Sequence, residues 1–303
     1  MIRIDHILCP VDRSEISRVA LDHARTLAGW YGASLSVMEV AWPGMPPLTI
    51  PTLAAAEAGF NLLEPEERAS YLSALRAVCG PAPAGVTEQV ELLEGPIVDV
   101  ILQRTVKEGA QLIVMGTHGR SGFDRLLLGS IAEKVMRKAA CPVLLVPPHL
   151  ADDPHPPKLP YRTIVCAVDF SPASCKALAH AISLAQESAA RLVLTHVLTW
   201  PTEQEMASDF SLSVCAFAES LKDAAQRRLR ASVSDEARQW CQTSEIVTSG
   251  KPHEQITRLA IAEHADLIVM GVHSRNAVVT PFFGSTANQV GRHGRCPVLI
   301  VRP

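Results

Sequence analysis

The sequence predicts an α/β protein made of two tandem doubly wound domains, each with a five-stranded parallel sheet. Three observations support this prediction. The 303 residues are enough for about two domains of ordinary size. Several stretches of sequence recur at a nearly constant separation. Within each copy, short β-branched runs alternate with longer stretches of helical periodicity, which is typical of parallel strands joined by helices.

The repeat is clearest at three places. HILCPVDRSEIS, which contains Asp12, matches TIVCAVDFSPAS, which contains Asp169, at a separation of 157 residues. QLIVMGTHGR matches DLIVMGVHSR, and CPVLLVPP matches CPVLIVRP, both at a separation of 155 residues. Between the copies, the six prolines of residues 147–160 favour an extended, solvated connector. We therefore expect domains at 1–150 and 161–303 and a proline-rich linker at 151–160.

The expected elements follow in order. The first copy should contain strands at 5–11, 33–40, 86–93, 110–116 and 141–146, and helices at 14–32, 95–109 and 130–140. The second copy should contain strands at 163–169, 190–197, 244–249, 265–271 and 296–301, and helices at 174–187, 252–264 and 287–294. Residues 42–64, rich in proline and alanine, give no clear signal, and residues 200–208 are their shorter counterpart.

Composition excludes several classes of function. A net charge of −3 gives no basic excess, so nucleic acid is not an expected partner. No apolar stretch approaches the roughly 18 residues that span a bilayer, and no secretory signal is seen, so we expect no membrane association. The eight cysteines form no Cys-x-x-Cys pair, and several lie in apolar runs. We therefore expect reduced thiols, no protein metal site and a cytoplasmic location.

A glycine-containing loop joins the strand at 110–116 to the helix at 130–140. Gly116 and Gly119 are followed, after nine further residues, by Gly129 and Ser130. In an open α/β sheet, ligands bind beyond the carboxyl ends of strands, and a helix N-terminus offers unpaired amides to phosphate. Gly129 and Ser130 are thus expected to hold phosphate, with Ser130 also capping its helix. Asp12 is expected both to cap the helix over 14–28 and to contact the ligand.

These residues resemble the universal stress protein family. Gly-x2-Gly-x9-Gly-Ser is similar to its ATP-binding signature, and Asp12, Ser14 and Ser17 match its Asp-x-Ser-x-x-Ser opening, as do Asp169, Ser171 and Ser174. The resemblance implies an adenine nucleotide α-hydrolase-like fold and two domains arranged as a pseudo-two-fold pair. It also implies ATP, with magnesium, as ligand. The implied contacts in the first copy are Val11, Asp12, Val40, Met115, Gly116, Gly119, Gly129, Ser130 and Ile131.

The second copy departs from the signature, since Ser274 stands where the first copy has Gly119. A Cβ at a position that needs positive φ costs about 1 kcal/mol or more. We therefore expect a degenerate second site, whose corresponding residues are Val168, Asp169, Val197, Gly271, Gly284, Ser285 and Thr286. His118 and His273 occupy matching loop positions, and we assign neither a catalytic role.

The function favoured by the sequence is ATP-dependent signalling in stress, in which nucleotide occupancy sets conformation or partner choice. The P-loop Gly-x4-Gly-Lys-Ser/Thr motif is absent, so hydrolysis is expected to be slow or absent. One alternative is an adenylating or slow ATP-hydrolysing enzyme of the nucleotide α-hydrolase group; another is a nucleotide-independent interaction scaffold. Family members pair through their last strands, which implies pairing of the two domains within this chain and leaves a further homodimer open. The protein partner is not identified.

Overall fold

The computed structural model describes residues 2–41, 63–118, 128–148, 150, 159–199, 212–272 and 284–302. The strands of the first half are β1 (His6–Pro10), β2 (Ser34–Ala41), β3 (Thr87–Glu94), β4 (Leu112–Gly116) and β5 (Val143–Val146). Its helices are α1 (Glu15–Tyr31), α2 (Pro65–Cys79), α3 (Ile97–Glu108) and α4 (Ser130–Lys138).

The second half repeats this order with one additional helix. Its strands are β6 (Thr163–Ala167), β7 (Arg191–Leu198), β8 (Thr243–Ser249), β9 (Leu267–Gly271) and β10 (Val298–Val301). Its helices are α5 (Pro172–Ser188), α6 (Leu212–Ala231), α7 (Asp235–Trp240), α8 (Pro252–Ala262) and α9 (Ser285–His293). No helix in the described part of the chain is long and apolar enough to cross a membrane.

All ten strands form one sheet in the order β3-β2-β1-β4-β5-β10-β9-β6-β7-β8. Pairing is parallel within each half and antiparallel where β5 meets β10, with Leu144 opposite Leu299. The order on one side of this junction mirrors the order on the other. The predicted fold and the predicted pairing of the domains through their last strands are therefore confirmed.

The sheet is covered on both faces, which is why its central strands are apolar on both sides. One apolar core lies beneath α1, α2, α5 and α6, and the other beneath α3, α4, α8 and α9. Each core contains residues from both halves of the chain. Further contacts join the halves at their edges, including a hydrogen bond of 2.7 Å from the Ile2 amide to the Ser183 hydroxyl.

Three helices were not predicted from the sequence: α2, α6 and α7. The start of α2 has a capping box, in which the Glu64 and Glu67 side chains each accept from the other's backbone amide, and Pro65 occupies the first turn. The helix nevertheless buries only Leu75 and Cys79, so its apolar periodicity is weak. Helix α7 has only six residues, too few for a periodic pattern.

Candidate functional site

A cleft of about 530 Å³ opens at the carboxyl ends of β1, β2 and β4, beside the first turn of α4. We call it the first-domain cleft. Eight of the nine residues predicted for the first site line it, namely Val11, Asp12, Val40, Met115, Gly116, Gly129, Ser130 and Ile131. The ninth, Gly119, lies outside the described residues. The volume lies within the range of small-molecule sites, and the position is where open α/β sheets bind ligands.

The start of α4 gives the cleft its anion-binding character. The Gly129 amide donates to the Thr117 carbonyl at 2.7 Å, and the Glu133 amide makes the first intrahelical bond, to the Gly129 carbonyl at 2.9 Å. The amides of Ser130, Ile131 and Ala132 therefore come before the first intrahelical bond, at the positive end of the helix dipole. All three residues line the cleft. Sequence reasoning had found the first two and missed Ala132.

Two details of this turn differ from expectation. The N-cap of α4 is Gly129, and Ser130 is the first helical residue, so Ser130 does not cap its helix. Gly129 instead permits a close approach of two backbone segments. A Cβ on this residue would lie 2.9 Å from the Thr117 carbonyl oxygen, which is too close for any other residue without a shift of the backbone. The spacing of the motif in the sequence could not show that the Gly129 amide bonds to the Thr117 carbonyl.

Asp12 also has a different local role from the one expected. The N-cap of α1 is Ser14, whose hydroxyl accepts from the Ser17 amide at 3.3 Å. Asp12 lies two residues earlier and accepts from both the Ser14 amide at 3.0 Å and the Ser14 hydroxyl at 2.5 Å. The prediction that Asp12 caps α1 is therefore wrong. Its carboxylate holds the capping serine in place while remaining part of the cleft wall.

The cleft also contains an ion pair that sequence reasoning missed. The buried Glu39 carboxylate accepts from the Arg13 guanidinium at 2.7 Å, and Arg13 lies over the Tyr71 ring at 5.2 Å from its centroid. Glu39 and Tyr71 line the cleft. Arg13 has a φ of 66°, in the left-handed region that side chains other than glycine rarely adopt. Glu39, the one charged residue within β2, was the available signal.

The second copy places its predicted residues in the corresponding elements. Val168 and Asp169 follow β6, Val197 lies in β7, Gly271 ends β9, and Gly284, Ser285 and Thr286 begin α9. The Asp-Ser arrangement is repeated: the Ser171 amide donates to Asp169 at 3.0 Å, and Ser171 caps α5. Ser274 and His273 lie outside the described residues.

The end of β9 is more crowded than the end of β4. A Cβ on Gly271 would lie 2.4 Å from the backbone of Ala173 and Ser174, whereas the atoms nearest to a Cβ on Gly116 would be the Ile16 side chain at 3.2 Å and the His118 carbonyl oxygen at 3.4 Å. The first turn of α5 thus lies directly against the end of β9. Ala173 allows this close approach because it is smaller than Ile16, its counterpart in the first copy. The N-caps differ as well, since Gly284 has a φ of 5° and Gly129 a φ of −57°.

The ion pair of the first copy is replaced in the second by an aromatic pair. Phe170 and His196 occupy the positions of Arg13 and Glu39, with ring centroids 4.7 Å apart. The Arg228 guanidinium, from α6, lies 4.1 Å from the centroid of the Phe170 ring. Phe170 adopts the same left-handed backbone as Arg13, with a φ of 62°. The two copies thus share a cation–π contact at this place, but the cation and the ring have exchanged positions.

Six of the seven cysteines whose side chains the structure describes are buried, and Cys175 is exposed. Cys141 and Cys296, which precede the last strands, are both buried, and burial raises the pKa of Cys141 to about 11 and of Cys296 to about 12. Thiols of this kind are poor nucleophiles at neutral pH. Among the residues that the structure describes, no group of three or more His, Cys, Asp and Glu side chains is arranged to hold a metal ion.

Comparison with known proteins identifies the family. The sequence profile of the universal stress protein family matches residues 3–147 and again residues 160–302. A universal stress protein of Methanocaldococcus jannaschii is 37% identical over 145 residues, which are 46% of this chain and 80% of that protein. One of Mycolicibacterium smegmatis is 25% identical over 322 aligned positions, covering 98% of this chain and 97% of that protein.

A solved structure shows the same fold over the whole length. The crystal structure of a universal stress protein from Archaeoglobus fulgidus superposes with a TM-score of 0.65 at 23% identity, covering 99% of this chain and 97% of that one. Taken with the two profile matches, this shows that the chain belongs to the universal stress protein family and carries two of its domains in tandem.

Proposed function

We propose that the protein binds ATP in the first-domain cleft and that nucleotide occupancy sets its conformation or its choice of partner in stress signalling. The proposal rests on one observation. Eight residues that the family signature marks for nucleotide contact, dispersed between Val11 and Ile131, line a single cleft of about 530 Å³.

The two ends of this cleft suit the two ends of a nucleotide. Val11, Val40 and Met115 give one wall an apolar surface suited to a base. The opening turn of α4 offers the amides of Ser130 and Ile131 to the phosphates. Magnesium would be held chiefly by phosphate oxygens and water, as it commonly is in nucleotide sites, and would neutralise phosphate charge.

The carboxylates in the cleft support slow or absent hydrolysis. Asp12 accepts two hydrogen bonds from Ser14, and Glu39 is paired with Arg13 at 2.7 Å. A general base must be free to take a proton from water. Both carboxylates are already engaged, so we propose a binding and signalling role, with ATP turnover slow at most.

The second domain is proposed to bind nucleotide more weakly than the first. The close approach of α5 to Gly271 narrows the strand end where the ligand would lie, and the N-cap of α9 has a different backbone conformation. We propose a cytoplasmic location, because the buried and unpaired thiols suit a reducing compartment.

The proposal is tested by nucleotide stoichiometry. Ligand is extracted from freshly purified protein and identified by mass, and ATP with magnesium is then titrated into stripped protein by calorimetry. We expect one site of higher affinity per chain. Changing Gly129→Ala should weaken that site by at least about tenfold, because the new Cβ would push Thr117 and the α4 turn apart.

Two matched glycine variants serve as controls. In Gly29→Ala, within α1, the new Cβ would make only an ordinary contact of 3.7 Å with Val86, so binding should be unchanged. Gly284→Ala reports on the second domain and should affect total binding less than Gly129→Ala. Two equivalent sites would contradict the asymmetry, and no binding of ATP would favour the interaction scaffold instead.

A further inference from the structure

Helix α4, whose first turn borders the first-domain cleft, is contacted at both ends by the second domain. The first contact is at Leu128, which directly precedes Gly129. Gly291 of α9 lies so close that a Cβ on it would be 3.9 Å from Leu128 Cδ1 and 3.1 Å from Leu145 Cδ1. All three residues are buried. A helix of the second domain therefore packs against the residue that leads into the phosphate-binding turn.

The second contact is at the opposite end of α4. The Arg302 guanidinium, which follows β10, donates to the carbonyl of Ala139, the C-cap of α4, at 3.0 Å. Free carbonyls at a helix C-terminus are the negative end of the helix dipole, so a cation there is stabilising. α4 has nine residues and is thus about 13 Å long. Contacts at both ends therefore restrict its position along the sheet.

The contact at the C-terminal end of α4 is not repeated by the corresponding residue of the first domain. When the two copies are aligned at their separation of 155 residues, Met136 of α4 corresponds to Gly291 of α9, and Pro147 corresponds to Arg302. Pro147 has no side-chain donor, so the first domain cannot hold the end of α9 as Arg302 holds the end of α4. Met136 is fully buried, and the space that a side chain would need at Gly291 is taken by Leu128 and Leu145. The two halves therefore differ at both of these positions.

We propose that the second domain acts as a positioning domain for the first-domain cleft, with Gly291 and Arg302 as its positioning residues. Gly291 leaves room for Leu128, and Arg302 fixes the far end of α4. Together they hold the amides of Ser130 and Ile131 in the arrangement that receives phosphate. This inference rests on the proposed function for its ligand, but the contacts themselves are independent of any nucleotide.

The test uses two variants of the full chain, each with a matched control. Gly291→Met introduces the residue that the first copy has at this position, and Gln289→Met introduces the same side chain on a less buried part of α9. Arg302→Met removes the donor to Ala139, and Arg295→Met removes an exposed arginine nearby. Affinity for ATP with magnesium is measured by calorimetry, and amide hydrogen exchange over 128–138 is measured without nucleotide.

We expect Gly291→Met and Arg302→Met each to weaken ATP binding by about fivefold or more and to speed exchange in α4, while both controls behave as wild type. Leu128→Ala, added to Gly291→Met, should recover part of the affinity because it restores space. If Gly291→Met fails to fold, Gly291→Ala replaces it, with the same expectations at smaller size.

Two results would overturn the inference. One is an affinity within twofold of the controls in both variants, and the other is faster exchange spread evenly over the whole sheet, which would mean a general loss of stability. A wild-type chain that binds no ATP would remove the proposed function. Even if no ATP binds, faster amide hydrogen exchange confined to α4 in the two variants would support the positioning role. Unchanged hydrogen exchange in α4 would contradict it.

Discussion

Arg13 and Glu39 show how one structural position can be stabilised by two kinds of chemistry. Both copies hold the residue after their shared aspartate, Asp12 or Asp169, in a left-handed backbone, a conformation that costs about 1 kcal/mol or more without glycine. The first copy offsets this cost with an ion pair, and the second with a ring pair and a nearby guanidinium. In each case the residue bridges a strand and a helix.

Because the two copies use different pairs at this place, we expect the effects of substitutions at Arg13 and Glu39 on the free energy of unfolding to be strongly coupled. Arg13→Phe alone should destabilise the protein by about 2 kcal/mol or more, because it removes the Arg13 guanidinium from the buried Glu39 carboxylate. Adding Glu39→His recreates the Phe170–His196 pair and should recover much of that loss. Urea denaturation of both single variants and the double variant measures the coupling. Strictly additive effects would show that the two positions act independently.

The glycines that end β4 and β9 predict different tolerance to the same change. Gly271→Ala would bring a Cβ within 2.4 Å of the α5 backbone, so either the helix or the strand must move. Gly116→Ala would bring its Cβ to 3.2 Å from the Ile16 side chain, which adjusts more easily than backbone, and to 3.4 Å from the His118 carbonyl oxygen, an ordinary contact. We expect Gly271→Ala to cost about 1–3 kcal/mol of unfolding free energy, and Gly116→Ala to cost clearly less. Equal costs in urea denaturation would contradict this difference in packing.

Among the elements, the strands and their connecting helices were the most predictable. The apolar runs around Cys9 and Cys166 correspond to β1 and β6, and the helices after them begin within a residue or two of the predicted starts. Each is marked by a local signal, either a buried β-branched run or a serine before an apolar stripe. Such signals depend only on neighbouring residues, so the sequence contains them in full.

The elements and contacts that escaped prediction depend on distant residues. α2 and α6 present few buried residues to the sheet, and their positions are fixed by partners such as Arg13 and Phe170. The cleft residues Ala132 and Tyr71 carry no signature of their own. Capping roles were also misassigned, to Asp12 and Ser130, because a run of short polar residues does not show which of them begins the helix. The predicted nucleotide contacts remain predictions.

Helix α1 carries a histidine within its buried face, and this predicts acid sensitivity. Burial lowers the pKa of His23 from 6.5 to about 4. Between about pH 6.5 and pH 4, His23 therefore binds a proton in the unfolded chain but not in the folded protein. The contribution of neutral His23 to the free energy of unfolding is fully present above pH 6.5 and decreases as the pH falls below it. Between pH 7.5 and 5 the loss should be about 2 kcal/mol.

His23→Leu should reduce that loss, because leucine has no proton to bind. The measurement is urea denaturation at pH 7.5 and at pH 5 for wild type and variant. Some acid sensitivity should remain, since burial also lowers the pKa of His180 in α5. An unchanged pH dependence in His23→Leu would contradict the argument from burial.

At the scale of the whole molecule, the antiparallel junction of β5 and β10 makes the two domains one sheet. It places the last strand of each domain at the centre, and only β3 and β8 remain as edges. Glutamates of β3 pair with arginines of three helices, Glu88 with Arg25, Glu91 with Arg104 and Glu94 with Arg68. Charged side chains of this kind discourage edge-to-edge pairing between molecules.

The junction therefore predicts that the halves stay together without their covalent linker. A protease site placed within residues 151–158 and then cleaved should leave a complex that elutes where the intact protein does, with both fragments of the 32.7 kDa chain present. The apolar cores that cross the junction and the Ile2–Ser183 and Arg302–Ala139 hydrogen bonds would all persist. Leu144→Asp would bury a charge opposite Leu299 and should separate the cleaved halves. Gel filtration with light scattering distinguishes these states, and separation of the unmodified halves would show that the linker, rather than the shared sheet, holds the molecule together.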